Sequence, residues 1–241
     1  MSDVYQTPDA DLIEKVNPGE YGSVERALQG NYNLNIKEIF AEAWNKTSGT
    51  KLTIFLCFLI LGLVSTVLSL LTTAISPSVG VGAILVSIVL NLLTTLITGP
   101  LGAGLFMIGV KCAVNKPISV NEIGKYWHKI LPIFGVYVLM YLLIILGFIA
   151  LIIPGIYLSV AYMMALPLVV EKNMGVWEAL ETSRKAITKK WWVMLGVVIV
   201  SFVVAIIGML PLFIGLIWAM PVILIAYGIV YRNMFGVEGD V

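Results

Sequence analysis

Three stretches of this chain contain no Asp, Glu, Lys, Arg or His: Leu52–Val110, Leu131–Val170 and Trp191–Tyr231. No other feature limits the fold as strongly. A helix needs about 20 apolar residues to cross bilayer hydrocarbon, so each run is too long for one span and suits two. The expected fold is therefore all-α, a polytopic membrane protein whose six transmembrane helices form three hairpins. Composition agrees: of 241 residues, 59% are hydrophobic and 12% charged, against about a quarter charged in soluble domains. Mean hydropathy is +0.98.

Turn residues divide each run. Ser76-Pro77-Ser78 with Gly80 and Gly82 reverses the first, Pro154-Gly155 the second, and Gly208–Gly215 around Pro211 the third. The spans are then about Leu52–Ile75, Ala83–Val110, Pro132–Ile153, Gly155–Val170, Trp191–Leu210 and Leu212–Tyr231. Pro removes an internal hydrogen bond, so Gly99-Pro100 is expected to kink or break the second span. Pro167 lies near the end of the fourth and Pro221 interrupts the sixth. Asn91, Thr94, Thr95 and Thr98 put polar groups on the second span, where such groups serve to hold helices together.

A polar segment precedes each hairpin. In Leu34–Lys46, Ile36, Ile39, Phe40, Ala43 and Trp44 recur at helical spacing, and Asn35 with Glu38 forms a capping signature. Ser119 with Glu122, flanked by Ile118 and Ile123, repeats that signature ahead of a helix expected over Ser119–His128. Gly175 with Glu178 repeats it ahead of Val176–Lys189. All three are expected to be amphipathic helices lying along the membrane surface. The exits also match: Glu171-Lys172-Asn173-Met174-Gly175 resembles Tyr231-Arg232-Asn233-Met234-Phe235-Gly236. The organisation expected is an acidic flexible tail, 1–33, and one membrane domain, 34–241, of three parallel units at about 34–110, 118–170 and 175–235.

Every Lys and Arg falls in the N-terminal segment, the two polar connections or the C-terminal tail. By the positive-inside rule both termini face the cytoplasm. From the polar opening no cleavable secretory signal is expected, and the first apolar run is then expected to act as its own insertion signal.

Chemical sites are scarce. His128 is the sole histidine, Cys57 and Cys112 have no metal or redox spacing, and no nucleophile and base stand together. No catalytic residue, cofactor or metal is expected, and a net charge near zero argues against nucleic acid. The candidate site is a lipid-headgroup contact made by Arg184, Lys185, Lys189 and Lys190, with Trp191 and Trp192 as interface anchors. A basic residue near an anionic surface contributes about 1 kcal/mol. The acidic tail is a candidate docking peptide for a protein partner.

Ile152-Ile153-Pro154-Gly155-Ile156-Tyr157, then Ala165-Leu166-Pro167, then Glu178-Ala179-Leu180, Ser183-Arg184 and Trp191-Trp192, resemble bacterial six-span inner-membrane proteins of the YciC-like type. They are also similar to the membrane domain fused to some glycerophosphodiester phosphodiesterases. The resemblance is clearest over about Pro132–Trp192. It implies a bacterial inner-membrane location and transfers no catalytic residue, since the resemblance is to the membrane domain and not to the phosphodiesterase domain. The function expected is a non-enzymatic accessory, scaffold or lipid-interface protein. The alternative is a transporter or channel for a neutral or hydrophobic substrate, because Pro-interrupted spans can line a path although no span carries an ionisable group.

Overall fold

The computed structural model describes residues 21–75 and 81–238. It is all-α among those residues, with ten α-helices: α1 Val24–Gln29, α2 Ile36–Lys46, α3 Lys51–Ile75, α4 Val81–Ala113, α5 Ile130–Ala150, α6 Ile152–Ala161, α7 Ala165–Glu171, α8 Val176–Lys189, α9 Trp191–Met209 and α10 Leu216–Phe235. Six segments are long and apolar enough to cross a membrane: α3, Gly82–Ala113, Val120–Ala150, Ile152–Glu171, α9 and α10.

Helix α10 is the centre of the molecule. It packs on α4, α2, α9 and α3, and Ile225, Ile229, Tyr231 and Phe235 are fully buried on it. Its closest approach is to α4. A Cβ at Gly228 would lie 2.2 Å from the Gly109 carbonyl oxygen, and one at Gly109 would lie 2.5 Å from that of Leu224. Two backbones meet this closely only where neither helix has a side chain, the same solution that small residues provide in membrane helix pairs generally.

The hairpins close in ways that turn propensity alone does not show. The first reversal, expected at Ser76-Pro77-Ser78, lies outside the described residues. Helix α4 runs unbroken through Pro100. Pro154 and Gly155 do not form the reversal between α5 and α6. The chain turns at the extended residue Leu151, and α6 begins at Ile152. Pro154 therefore occupies the first helical turn, where its missing N–H costs nothing. Gly155 is needed for proximity, because a Cβ there would lie 2.4 Å from the Phe148 ring across the hairpin. In the third hairpin Leu212 and Phe213 take left-handed φ of 51° and 66°, and Gly208 packs against Gly215 and Ala219.

The fourth crossing is broken at Tyr162–Met164, between α6 and α7. Ser183 of α8 mends the break. Its hydroxyl donates to the Ala161 carbonyl at 2.7 Å and accepts from the Met164 N–H at 3.2 Å. Both are backbone groups that a continuous helix would have paired internally.

Of the polar segments, α8 spans Val176–Lys189 as expected, and the Gly175 N–H donates to Glu178 at 3.3 Å. Helix α2 begins at Ile36, with Asn35 Oδ1 accepting from the Lys37 and Glu38 amides. The middle segment differs from expectation. Ser119 makes no side-chain cap, and in place of one α-helix there are two short 3-10 pieces, Val120–Gly124 and Trp127–Lys129. Glu122 bonds across to Lys111 at 2.9 Å rather than back to the cap. That partner, brought by the end of α4, lies outside any local sequence pattern.

Within the stretch expected as a tail, residues 1–20 lie outside the described residues. The remainder packs on the domain: α1 lies against α8 and α10, Ala27 is buried, and the Tyr32 hydroxyl donates to the Ala186 carbonyl at 2.8 Å.

Candidate functional site

Side-chain bonds tie the charged segments into one end of the molecule. Arg232, at the end of α10 and nearly buried, forms a bidentate pair with Glu42 of α2 at 2.6 and 2.9 Å. The same guanidinium donates to the Ala113 carbonyl at the end of α4, 2.6 Å away, and stacks over the Tyr21 ring at 4.9 Å. Burial raises the Glu42 pKa, but the hydrogen bonds and charge of Arg232, with help from Lys46, outweigh this and hold it below the ordinary carboxylate value. A polar cavity of about 490 Å³ opens beside this knot, lined by Tyr21, Arg26, Asn31, Asn33, Glu38 and Glu42 among others.

Two further clasps share a plan. Lys46, just before the first hairpin, donates to Asn115 just after it. Lys129, just before the second, donates to Asn173 just after it, and also to the Val170 carbonyl at 2.6 Å. Both asparagines have left-handed backbones, φ 57° and 55°, the conformation that ends helices and that Asn tolerates better than most residues. The polar ends of the first two hairpins are thus each tied by an ammonium and a carboxamide. On the other side of α10, the nearly buried Glu171 accepts from the Tyr231 hydroxyl and from the Glu238 amide, both at 2.6 Å. Lys172 Nζ stands 2.7 Å from Glu238 and 3.4 Å from Glu171, an ion-pair geometry without a directed hydrogen bond.

The residues expected to meet lipid headgroups are divided by the structure. Arg184 is held by Glu181 through two hydrogen bonds of 2.7 and 2.9 Å, and Lys185 approaches the same carboxylate at 3.3 Å. Hydrogen bonding to Arg184 lowers the Glu181 pKa and in turn raises that of Arg184. Lys190 donates to the Tyr32 carbonyl and lies 5.1 Å above its ring. The Tyr32 phenol is pushed up to about 12 by burial. Trp191 Nε1 donates to the Tyr157 carbonyl at 3.3 Å and meets Trp192 edge-on at 4.9 Å. Lys189 is exposed with its stem over Gly30, and Trp192 is 78% exposed. Three of the four cations therefore have protein partners, and Lys189 with Trp192 forms the outward part of the group.

Local reading missed Arg232, Glu42, Lys46 and Lys129, whose partners across the fold lie 44 to 190 residues away. The one available signal was the similarity of the two exit motifs, which marks Asn173 and Arg232. His128 is exposed, with Nδ1 3.0 Å from the Lys125 carbonyl oxygen. Cys57 and Cys112 are buried free thiols. No three His, Cys, Asp or Glu side chains gather as a ligand set among the described residues.

Comparison with protein-family models, with curated proteins and with solved structures returned no match. The chain is an integral membrane protein by its six membrane-length apolar helices.

Proposed function

We propose that this protein is a non-enzymatic lipid-interface scaffold of a bacterial inner membrane, of the YciC-like type, with its charged end and both termini in the cytoplasm. One observation carries the reading. Five of the six tryptophans are exposed, at positions 44, 127, 177, 192 and 218. The first four lie within a few residues of Lys46, Lys129, Glu178 and Lys190 and carry the reading; Trp218, which follows the third reversal and lies 5.7 Å from the Lys51 ammonium, is not one of that group. Indole beside charge suits the headgroup layer, where an apolar ring with one N–H donor is half solvated. Helices α2 and α8 bury one face, through Ile39 and Ala43 and through Leu180 and Ile187, and leave Trp44 and Trp177 outward. That division supports surface-lying amphipathic helices. The matched lysine–asparagine clasps support a plan of repeated units, although the third unit has no such pair: its Lys190 goes to Tyr32.

The test is tryptophan quenching in vesicles whose phospholipids carry bromine at graded depths. Strongest quenching by the shallowest bromines supports the reading. Strongest quenching at mid-bilayer overturns it. Adding phosphatidylglycerol is expected to increase retention of lipid by the wild type, and Lys185→Gln with Lys189→Gln is expected to reduce that gain.

A further inference from the structure

We propose that a second copy of this chain docks on the groove between α4 and α5, forming a two-fold dimer within the membrane through Asn91. The groove, about 820 Å³, is lined on one face of α4 by Ala83, Ser87, Asn91 and Thr95 together with the exposed aliphatic side chains Ile84, Ile88 and Leu92, and on α5 by Tyr141. From Ala83 to Thr95 this face runs about 18 Å along the helix. Asn91 lies about 15 Å from Val81 along the axis, inside a segment long and apolar enough to span hydrocarbon.

Two polar groups within this otherwise apolar groove do not suit lipid tails. Asn91 Nδ2 donates to the Ser87 carbonyl at 2.7 Å, and its side chain makes no other hydrogen bond among the described residues. One N–H and the carboxamide oxygen are left facing outward from an exposed residue. The Tyr141 hydroxyl, half exposed in the same groove, also has no hydrogen bond among the described residues, although its ring stacks on Tyr137 at 6.0 Å. Two polar groups from two helices thus converge at a depth without water. A polar group left unpaired in hydrocarbon is costly, and an acyl chain has neither donor nor acceptor to offer it.

A second copy has both. A carboxamide is donor and acceptor at once, so under a two-fold axis each Asn91 can satisfy the other, and each Tyr141 hydroxyl can donate to the facing Asn91 oxygen. This is the self-complementary patch that an isologous interface requires. Ala83, Ser87 and Thr95 form a row of small side chains through Asn91, and the exposed Ile84, Ile88 and Leu92 beside that row supply the apolar contact that packs against a facing α4. The same length of groove is presented by each partner.

The test uses the full chain, with Cys57→Ser and Cys112→Ala, in phosphatidylethanolamine–phosphatidylglycerol vesicles over a range of protein densities. Single-molecule photobleaching reads the dimerisation constant. Hydrogen bonds between membrane helices contribute about 0.6–1.7 kcal/mol, so Asn91→Leu is expected to weaken dimerisation about 3- to 20-fold, Tyr141→Phe less, and Asn91→Gln least. Independently of any folding defect in those variants, Ile88→Cys should crosslink between copies on oxidation, and Ile199→Cys on α9 should not. A monomer at every density overturns the proposal, whether or not the groove holds lipid. So does an Asn91→Leu constant equal to wild type, or equal crosslinking at 88 and 199.

Discussion

Helices α3 and α10 have similar apolar lengths but opposite environments. In the apolar core of α10, 61% of residues are buried inside the molecule; in that of α3, 11% are. The more polar helix is the one inside. It carries Tyr227, Gly228, Tyr231 and Arg232, while the outer part of α3 offers Leu59, Leu63, Leu70 and Ile75 to the surroundings. In water the order would be reversed. In lipid, hydrocarbon receives aliphatic side chains without penalty, so packing, small residues and hydrogen bonds decide which helix is central. Glycines make the same contrast. Gly228 is locked against the α4 backbone, whereas a methyl group at Gly62 of α3 would meet nothing within 4 Å.

The largest expected effect breaks the α10 side of that contrast. Gly228→Ala forces the α4–α10 crossing apart, at a cost of about 3 kcal/mol, and should lower the thermal midpoint in detergent and the fraction of folded protein recovered. Wild-type stability in that variant would show that the glycine contact is not tight. Next is Arg232→Gln, which leaves Glu42 and the Ala113 carbonyl without their cation and should cost about 2 kcal/mol.

That pair also makes stability depend on pH. The folded-state pKa of Glu42 lies below its unfolded value of 4.5. Its contribution is therefore fully present above that value and is lost as pH falls through the folded-state pKa. Denaturant titrations from pH 7 to pH 3 should show a loss in wild type that is smaller in Arg232→Gln; parallel curves would remove Glu42 as its source.

Ser183→Ala leaves the Met164 N–H and the Ala161 carbonyl unpaired at the α6–α7 break and should cost about 1–2 kcal/mol, with faster amide exchange at Met164. The smallest effect is on α3. Gly62→Ala should stay within about 1 kcal/mol of wild type, on the stabilising side, because alanine favours helix and the site is open. A loss comparable to that of Gly228→Ala would show that α3 is packed against something at Gly62.

The labelling of hairpin tips follows the same geometry. Gly208, at the sequence-defined reversal, packs on Ala219 and Gly215 and is a poor place for a cysteine. Leu212, with 85% exposure, is the residue at which topology is best probed.

The six apolar segments, the approximate hairpin boundaries, α8 and the cap of α2 were legible in the order of residues alone, because charge exclusion and capping are local properties of consecutive residues. It placed Pro154-Gly155 one element too early, since the pair signals a turn by propensity but here starts a helix and makes room for Phe148. The candidate headgroup cluster was legible as a run of cations and tryptophans. That Glu181 and Tyr32 occupy three of those cations was not, because Tyr32 arrives from about 150 residues away and Glu181 could equally have faced solvent. Helix packing, and not local pattern, makes α10 central, brings Arg232 to α2, α4 and residue 21, and points Asn91 out of the molecule rather than between its helices. Those outcomes depend on which helix faces meet, and in apolar runs of nearly uniform composition the faces differ by a few glycines and hydroxyls whose partners lie elsewhere in the chain.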